Sequence, residues 1–415
     1  MATRIYWAAG LRSAASGLTG VILGLALAER GLGAGTLGLV VGVGLAGNAV
    51  GTALVAWYGD GVGRRGLLLG ATALTALGYG AVGLAPSTAV LALAAFLGLL
   101  NGFGRDRGPA QTLDLSVLAG VAADADRTRV FSRYTFIQDV AGAVGALGAG
   151  LPAIARAVAG VPLDTAYRAV FAALALVTGL SLILYGGLPA RPAGHGGDLR
   201  GGVPRDPIVR RRVGGLAALT ALDSVGGGFL AGSILSYWFF RRFGLAPEAL
   251  GVLFFAARGL NALSYLAAER LARRFGLVRT MVFTHLPSSG LLLALPFVGA
   301  PWAAVALFLT REALVQMDVP TRQSYIAAVV PAGARTFALG ATGIVRSAGW
   351  AVGAPLAGLA MGAVGIAAPL VGGAVLKILY DVALFGAFRH VRPPEEGAGL
   401  QPIAPPDGGI RSRDR

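Results

Sequence analysis

Twelve stretches of this chain run for about twenty residues or more with few charges, and that pattern leaves little choice of structure. They fall at 9–28, 37–57, 66–85, 88–112, 134–153, 169–188, 214–239, 249–268, 280–299, 302–325, 337–362 and 367–388. In hydrocarbon every backbone N–H and C=O must be satisfied within the protein, so runs of this kind cross as helices. Charged residues make up 13% of the chain, against roughly 25% in an average soluble protein. The first run is too long for a cleavable leader and is followed at once by another.

The sequence is also written twice. Arg127-Thr128 followed by Ala143-Val144-Gly145-Ala146 recurs as Arg335-Thr336 followed by Ala351-Val352-Gly353-Ala354, and Leu37-Gly38 with Gly63 recurs as Leu250-Gly251 with Gly276. The expected fold is an all-α membrane protein of twelve transmembrane helices in two pseudo-symmetric six-helix bundles, a plan in which solute sites form where the repeats meet. Residues 1–188 make the first bundle and 214–392 the second. A Pro-, Gly- and Arg-rich linker spans 189–213, and 393–415 has the composition of a disordered tail.

The formal charge of +15 is explained by topology rather than by nucleic acid. Most of the 35 basic residues fall in loops on one side of the spans, which marks that side and both termini as cytoplasmic. The expected location is the cytoplasmic membrane, with anionic lipid headgroups as partners. The absence of cysteine excludes disulfides and thiolate metal sites. No metal-ligand cluster or cofactor motif is present, and His195, His285 and His390 fall in a loop, a peripheral span and the tail. Gly42-Val43-Gly44-Leu45-Ala46-Gly47 matches a dinucleotide fingerprint but sits inside a membrane span with no preceding strand. An enzyme is not expected.

Ionisable residues inside the spans carry the functional signal, because each costs about 2.5 to 3.5 kcal/mol at mid-bilayer unless it faces a partner or water. The basic ones are Arg12, Arg105, Arg107, Arg258, Arg311, Arg322, Arg346 and Lys377, and the acidic ones Asp106, Asp114, Asp139, Asp223, Glu312, Asp318 and Asp381. They concentrate in spans 1, 4, 7 and 10 and imply a polar cavity. Arg12 and Asp223 occupy matching repeat positions, so they either pair across the halves or bond each within its own. Arg105, Asp106 and Arg107 flank Gly104, Gly108 and Pro109, a composition that favours a broken helix lining a cavity. Asp318 and Arg322 are four apart and can pair, and so can Lys377, the sole lysine, with Asp381. Arg258, Arg346 and Asp139 complete the lining or serve interhelical hydrogen bonds.

The duplicated six-helix plan, the cytoplasmic middle loop and the segment Asp60-Gly61-Val62-Gly63-Arg64-Arg65 between spans 2 and 3 together resemble the major facilitator superfamily. Asp60, Gly63, Arg64 and Arg65 match its loop signature, while Ala56 and Gly61 replace the signature's leading glycine and first base. The resemblance implies alternating access, with the first and fourth helices of each half lining the cavity and the loop motif helping to hold a gate. It implies a secondary active transporter driven by an ion gradient, with protons the expected coupling ion and a monomer the expected state, and the clustered arginines point to a small polar or anionic solute. Arg105, Arg107, Arg311 and Arg322 are the candidate anion contacts, and Asp106, Asp139, Asp223, Glu312 and Asp318 the candidate proton carriers. Gly349-Trp350-Ala351-Val352-Gly353-Ala354-Pro355 is similar to the glycine-rich signature of the family's antiporters, which keeps proton-coupled efflux of drugs or toxic solutes as an alternative. A receptor that binds without transporting is the alternative from another class.

Overall fold

In a computed structural model, residues 1–106, 108–121, 127–189, 206–318, 321–322, 325 and 335–388 are described. They form fifteen α-helices: α1 (Ala2–Glu29), α2 (Ala34–Val62), α3 (Arg64–Leu84), α4 (Thr88–Leu97), α5 (Pro109–Val121), α6 (Arg127–Leu147), α7 (Leu151–Ala159), α8 (Leu163–Gly186), α9 (Pro207–Gly228), α10 (Gly232–Phe243), α11 (Pro247–Phe275), α12 (Leu277–Ala294), α13 (Pro301–Val315), α14 (Arg335–Ala363) and α15 (Ala368–Phe388). The backbone polar groups are consumed within these helices, as lipid demands. Proline stands at the starts of α11 and α13, where a missing N–H deprives no intrahelical bond.

Three pairs of helices make a single crossing each. α6 and α7 are joined by one 3-10 turn (Gly148–Gly150), α9 and α10 by residues 229–231, and α4 and α5 by 98–108. Counting each pair once, the fifteen helices make twelve passes, and nine segments among the described residues are long and apolar enough to cross a membrane by themselves. The break at 98–108 coincides with the charged cluster anticipated from the sequence. The break at 229–231, in span 7, was not anticipated. α9 also starts at Pro207, inside the segment read as linker, because Val209 and Val213 bury against Phe388 and Leu384. Most of the linker and all of the 393–415 tail lie outside the described residues.

The duplication is visible in the backbone. Gly63 joins α2 to α3 at φ 86° and Gly276 joins α11 to α12 at φ 85°, the same left-handed corner at the same place in each repeat.

Helices α1, α3, α6 and α8 pack on one another, as do α9, α12, α14 and α15, and the two groups meet through α2 on α14, α1 on α10 and α6 on α11. Small residues make this seam tight: a Cβ on Gly38 would lie 2.7 Å from the Gly358 Cα, and one on Gly42 only 2.3 Å from the Pro355 ring. The apolar core is divided unevenly. One cluster, including Leu25, Leu37, Trp238, Leu250 and Ala357, is shared by both groups at the end where α1 finishes. At the opposite end each group has its own core, Ile5 with Leu113 and Tyr185 in one, Val213 with Met281 and Leu384 in the other. The halves are therefore fused at one end and separately packed at the other.

Candidate solute and ion sites

Arg12 is the hub of the first half. It lies on α1, 3% exposed, with Nη2 3.0 Å from Asp106 and 2.8 Å from Asp114, while Nη1 donates to the Tyr185 hydroxyl. Asp114 on α5 is fully buried and also accepts from Tyr134 (3.0 Å) and Tyr185 (2.9 Å). Gln138 on α6 donates to Asp106 at 3.2 Å. Four helices thus converge on two carboxylates, each held by several donors in a medium where an unpaired charge would be prohibitive.

Asp106 sits in the break between α4 and α5, where no helix hydrogen bonds constrain it. Asn101 folds this segment by accepting from the Phe103 N–H (3.0 Å) and donating to the Arg105 carbonyl (2.5 Å). Beside it is a small cavity of about 20 Å³, room for roughly one water, lined by Arg12, Ser16, Asn48, Tyr79, Asn101 and Asp106 among others. A larger cavity of about 580 Å³ opens at the fused end, where Glu29, Arg156, Tyr167, Phe240 and Arg241 line it.

Asp223 is the hub of the second half. Its Oδ2 accepts from Arg322 at 2.9 Å and its Oδ1 from Lys377 at 2.7 Å. Arg322 also reaches Asp318, 3.4 Å away, as the four-residue spacing implied. Lys377 does not follow the spacing argument: its ammonium is turned to Asp223 on α9, and Asp381 is held instead by His285 on α12, 2.9 Å from Nδ1. The helix-face rule made the Lys377–Asp381 contact available, but a helix neighbour across the bundle offers each side chain a partner already in place. Arg311 pairs with its neighbour Glu312, which also accepts from Asn261 at 2.9 Å.

Arg12 and Asp223, at matching repeat positions, each bond within their own half, and the pairing across the halves is not formed. Arg258 does cross the seam: its guanidinium on α11 lies against Gly104 in the α4–α5 break and Gly142 on α6. Phe103 from the same break stacks at 4.8 Å on Trp350 of α14, and the Ser233 N–H donates to the Gly102 carbonyl at 3.0 Å. The break of span 4 and the start of α10 beyond the break of span 7 therefore touch. Arg346 is half-buried on α14 and Asp139 half-buried on α6.

Of the loop signature, Arg64 donates to the Ser116 carbonyl on α5 at 3.2 Å, and Arg65 is half-buried beside it. The Asp60 side chain and Arg107 lie outside the described residues. Two residues that the sequence argument set aside are central. His285, placed there in a peripheral span, is 2% exposed between two carboxylates, and Asp114, counted among the buried acids but given no role, anchors the first hub. Among the described residues no group of acids and histidines is arranged to hold a metal ion.

Comparison with known proteins agrees with this architecture. The chain is 22% identical over 391 residues to an uncharacterized membrane protein of Saccharomyces cerevisiae, an alignment covering 86% of this chain and 87% of that one. Its fold is similar to that of the nucleoside transporter NupG (TM-score 0.75, 10% identity, 93% and 99% of the two chains). It is also similar to a D-xylose–proton symporter (0.71, 17%, 95% and 98%) and to an occupied, inward-facing bacterial homologue of the lysosomal transporter Spinster (0.73, 14%, 94% and 96%). These solved structures share the two-domain, twelve-helix membrane fold. Residues 5–315 match the Major Facilitator Superfamily profile, and the chain belongs to that superfamily of membrane transporters.

Proposed function

We propose that the chain is a secondary active transporter that moves a small polar or anionic solute across the cytoplasmic membrane by alternating access, coupled to protons and acting as a monomer. The observation that carries this is the coupling of buried guanidinium groups to buried carboxylates within each bundle, Arg12 with Asp106 and Asp114, Arg311 with Glu312, and Arg322 with Asp223 and Asp318. An anionic solute that takes a guanidinium from its carboxylate leaves that carboxylate unpaired in a low-dielectric site, and the inexpensive remedy is a proton. Solute and proton then enter together, which is the chemistry of coupling. Arg105 and Arg107 in the broken span, with Arg311 and Arg322, are the proposed anion contacts. Asp106, Asp139, Asp223, Glu312 and Asp318 are the proposed proton carriers.

With the arginine-rich side taken as cytoplasmic, the fused end faces outward and the separately packed ends face the cytoplasm. That arrangement suits an inward-open carrier, with the Asp60–Arg65 loop bracing the cytoplasmic ends. The efflux alternative calls for a cavity walled by aromatics. Trp238 and Phe239 are instead fully buried and pack with Phe243 and Phe308, Phe103 pairs with Trp350, and the larger cavity sets Tyr167 and Phe240 beside Glu29, Arg156 and Arg241, a mixed lining that favours the polar solute.

Reconstituted vesicles presented from outside with a panel of labelled organic anions, sugars and cationic dyes test the assignment. Accumulation of an anion that depends on a pH gradient and falls at least tenfold in the Arg105→Ala/Arg311→Ala variant is expected. Accumulation unaffected by that variant, or of cationic dyes alone, overturns the anion assignment, and binding without accumulation would favour a receptor.

A further inference from the structure

His285 takes no part in the solute scheme above, yet it occupies the most charged interior of the second half. Its Nδ1 lies 2.9 Å from both oxygens of Asp381, and its Nε2 points at Asp223 Oδ1 from 3.9 Å. A neutral imidazole has one N–H. If Nδ1 uses it for Asp381, Nε2 aims a bare lone pair at a carboxylate. A proton on Nε2 turns that repulsion into attraction without moving any heavy atom.

The surroundings give the same answer by charge. α9 contributes Asp223, α15 contributes Lys377, Asp381 and the Tyr380 ring 5.9 Å away, and the segment following α13 contributes Asp318 and Arg322. On its other side α12 meets α13, where Ser288 donates to the Arg311 carbonyl and Arg311 is already matched by Glu312, and α11, whose Asn261 also serves Glu312. Three carboxylates thus face two fixed cations, and one bound proton brings the cluster to neutrality, the state a low-dielectric interior favours. Histidine is the side chain whose charge changes most readily near neutral pH.

We propose that His285 is a proton-binding site of the second half, receiving its proton from water at Nε2 and holding it as an imidazolium between Asp381 and Asp223. Proton occupancy bears directly on Asp223, whose Oδ1 is shared with Lys377. Asp223 lies on α9, which continues through 229–231 into α10, the helix hydrogen-bonded to the other half through Ser233 and Ser236. The site deepens the proton-coupled reading above, and its proton binding is measurable without a known solute.

The chain has three histidines, and His195 and His390 lie outside the described residues. The His195→Gln/His390→Gln variant leaves one imidazole for nitrogen NMR of uniformly histidine-labelled protein in nanodiscs. The expected result is an Nε2 resonance that moves between its neutral and protonated positions between pH 5 and 9. In the same background Asp223→Asn displaces the midpoint, and Ser288→Ala leaves it in place. An imidazole fixed in one protonation state across that range, or a midpoint indifferent to Asp223→Asn, overturns the proposal and leaves the transporter assignment standing. A titrating His285 in a protein whose uptake ignores a pH gradient would instead overturn proton coupling and leave the site.

Discussion

The Ser236 hydroxyl on α10 donates to the Val21 carbonyl on α1 across 2.7 Å, binding the two halves through a neutral contact at the buried end of the seam. A hydrogen bond of this type contributes about 1 kcal/mol. Ser236→Ala should therefore raise the population of the state with this end parted by about fivefold. The chain contains no cysteine, so spin labels at Arg156→Cys on α7 and Arg241→Cys on α10 report the separation directly. An identical distance distribution with and without Ser236 would show that this bond does not hold the seam.

The second hub should respond unequally to loss of its members. Asp223→Asn strands Lys377 in the interior, leaves Arg322 with Asp318, and should lower unfolding stability by about 3 to 5 kcal/mol. Lys377→Met leaves Asp223 with Arg322 and should cost less, and combining the two should cost less than their sum. Denaturation in detergent measures all three. Additive losses would count against a shared cluster.

Helix contact in the first half should depend on the absence of a methyl group at one glycine. A Cβ on Gly145 would fall 2.0 Å from the Ala14 carbonyl oxygen, whereas one on Gly179 of α8 meets nothing within 4 Å. Gly145→Ala should force α6 from α1 and destabilise by about 1 to 3 kcal/mol. Gly179→Ala should be neutral or stabilising by up to about 1 kcal/mol. Melting midpoints of the two variants should move in opposite senses or at least differ clearly.

Arg12→Lys tests whether the first hub needs shape as well as charge. A guanidinium presents several N–H groups at fixed angles to Asp106, Asp114 and Tyr185, and an ammonium is a point charge that cannot reproduce the set. Solute uptake should fall at least tenfold with the protein still folded. Uptake within twofold of the native value would confine Arg12 to a neutralising role.

The membrane spans were legible because hydrocarbon forces them: length and apolar content alone identify a crossing. The break at 98–108 was also legible, since charges and Pro109 coincide there. The break at 229–231 was not, because Gly226, Gly227 and Gly228 suit close packing as well as chain reversal. Which charges meet was largely illegible. Asp318 and Arg322 share one helix and could be paired from spacing, but Lys377 with Asp381 obeyed the same rule and found other partners. His285 was missed because its span is otherwise uncharged, and nothing local reveals that Asp381 and Asp223 approach it from two other helices.

The two hubs are opposite in sign at equivalent places in the repeat: a guanidinium gathering acids in one half, a carboxylate gathering bases in the other. Duplication has kept the scaffold and inverted the polarity at its heart. Each of the ion pairs described closes on itself inside one bundle, while hydroxyl, carbonyl and glycine contacts, the Phe103–Trp350 ring pair and the Arg258 guanidinium face the opposite bundle. A rocking motion can then slide the halves past each other without pulling any of those pairs apart, and among the seam contacts described Arg258 is the one charged group it must move.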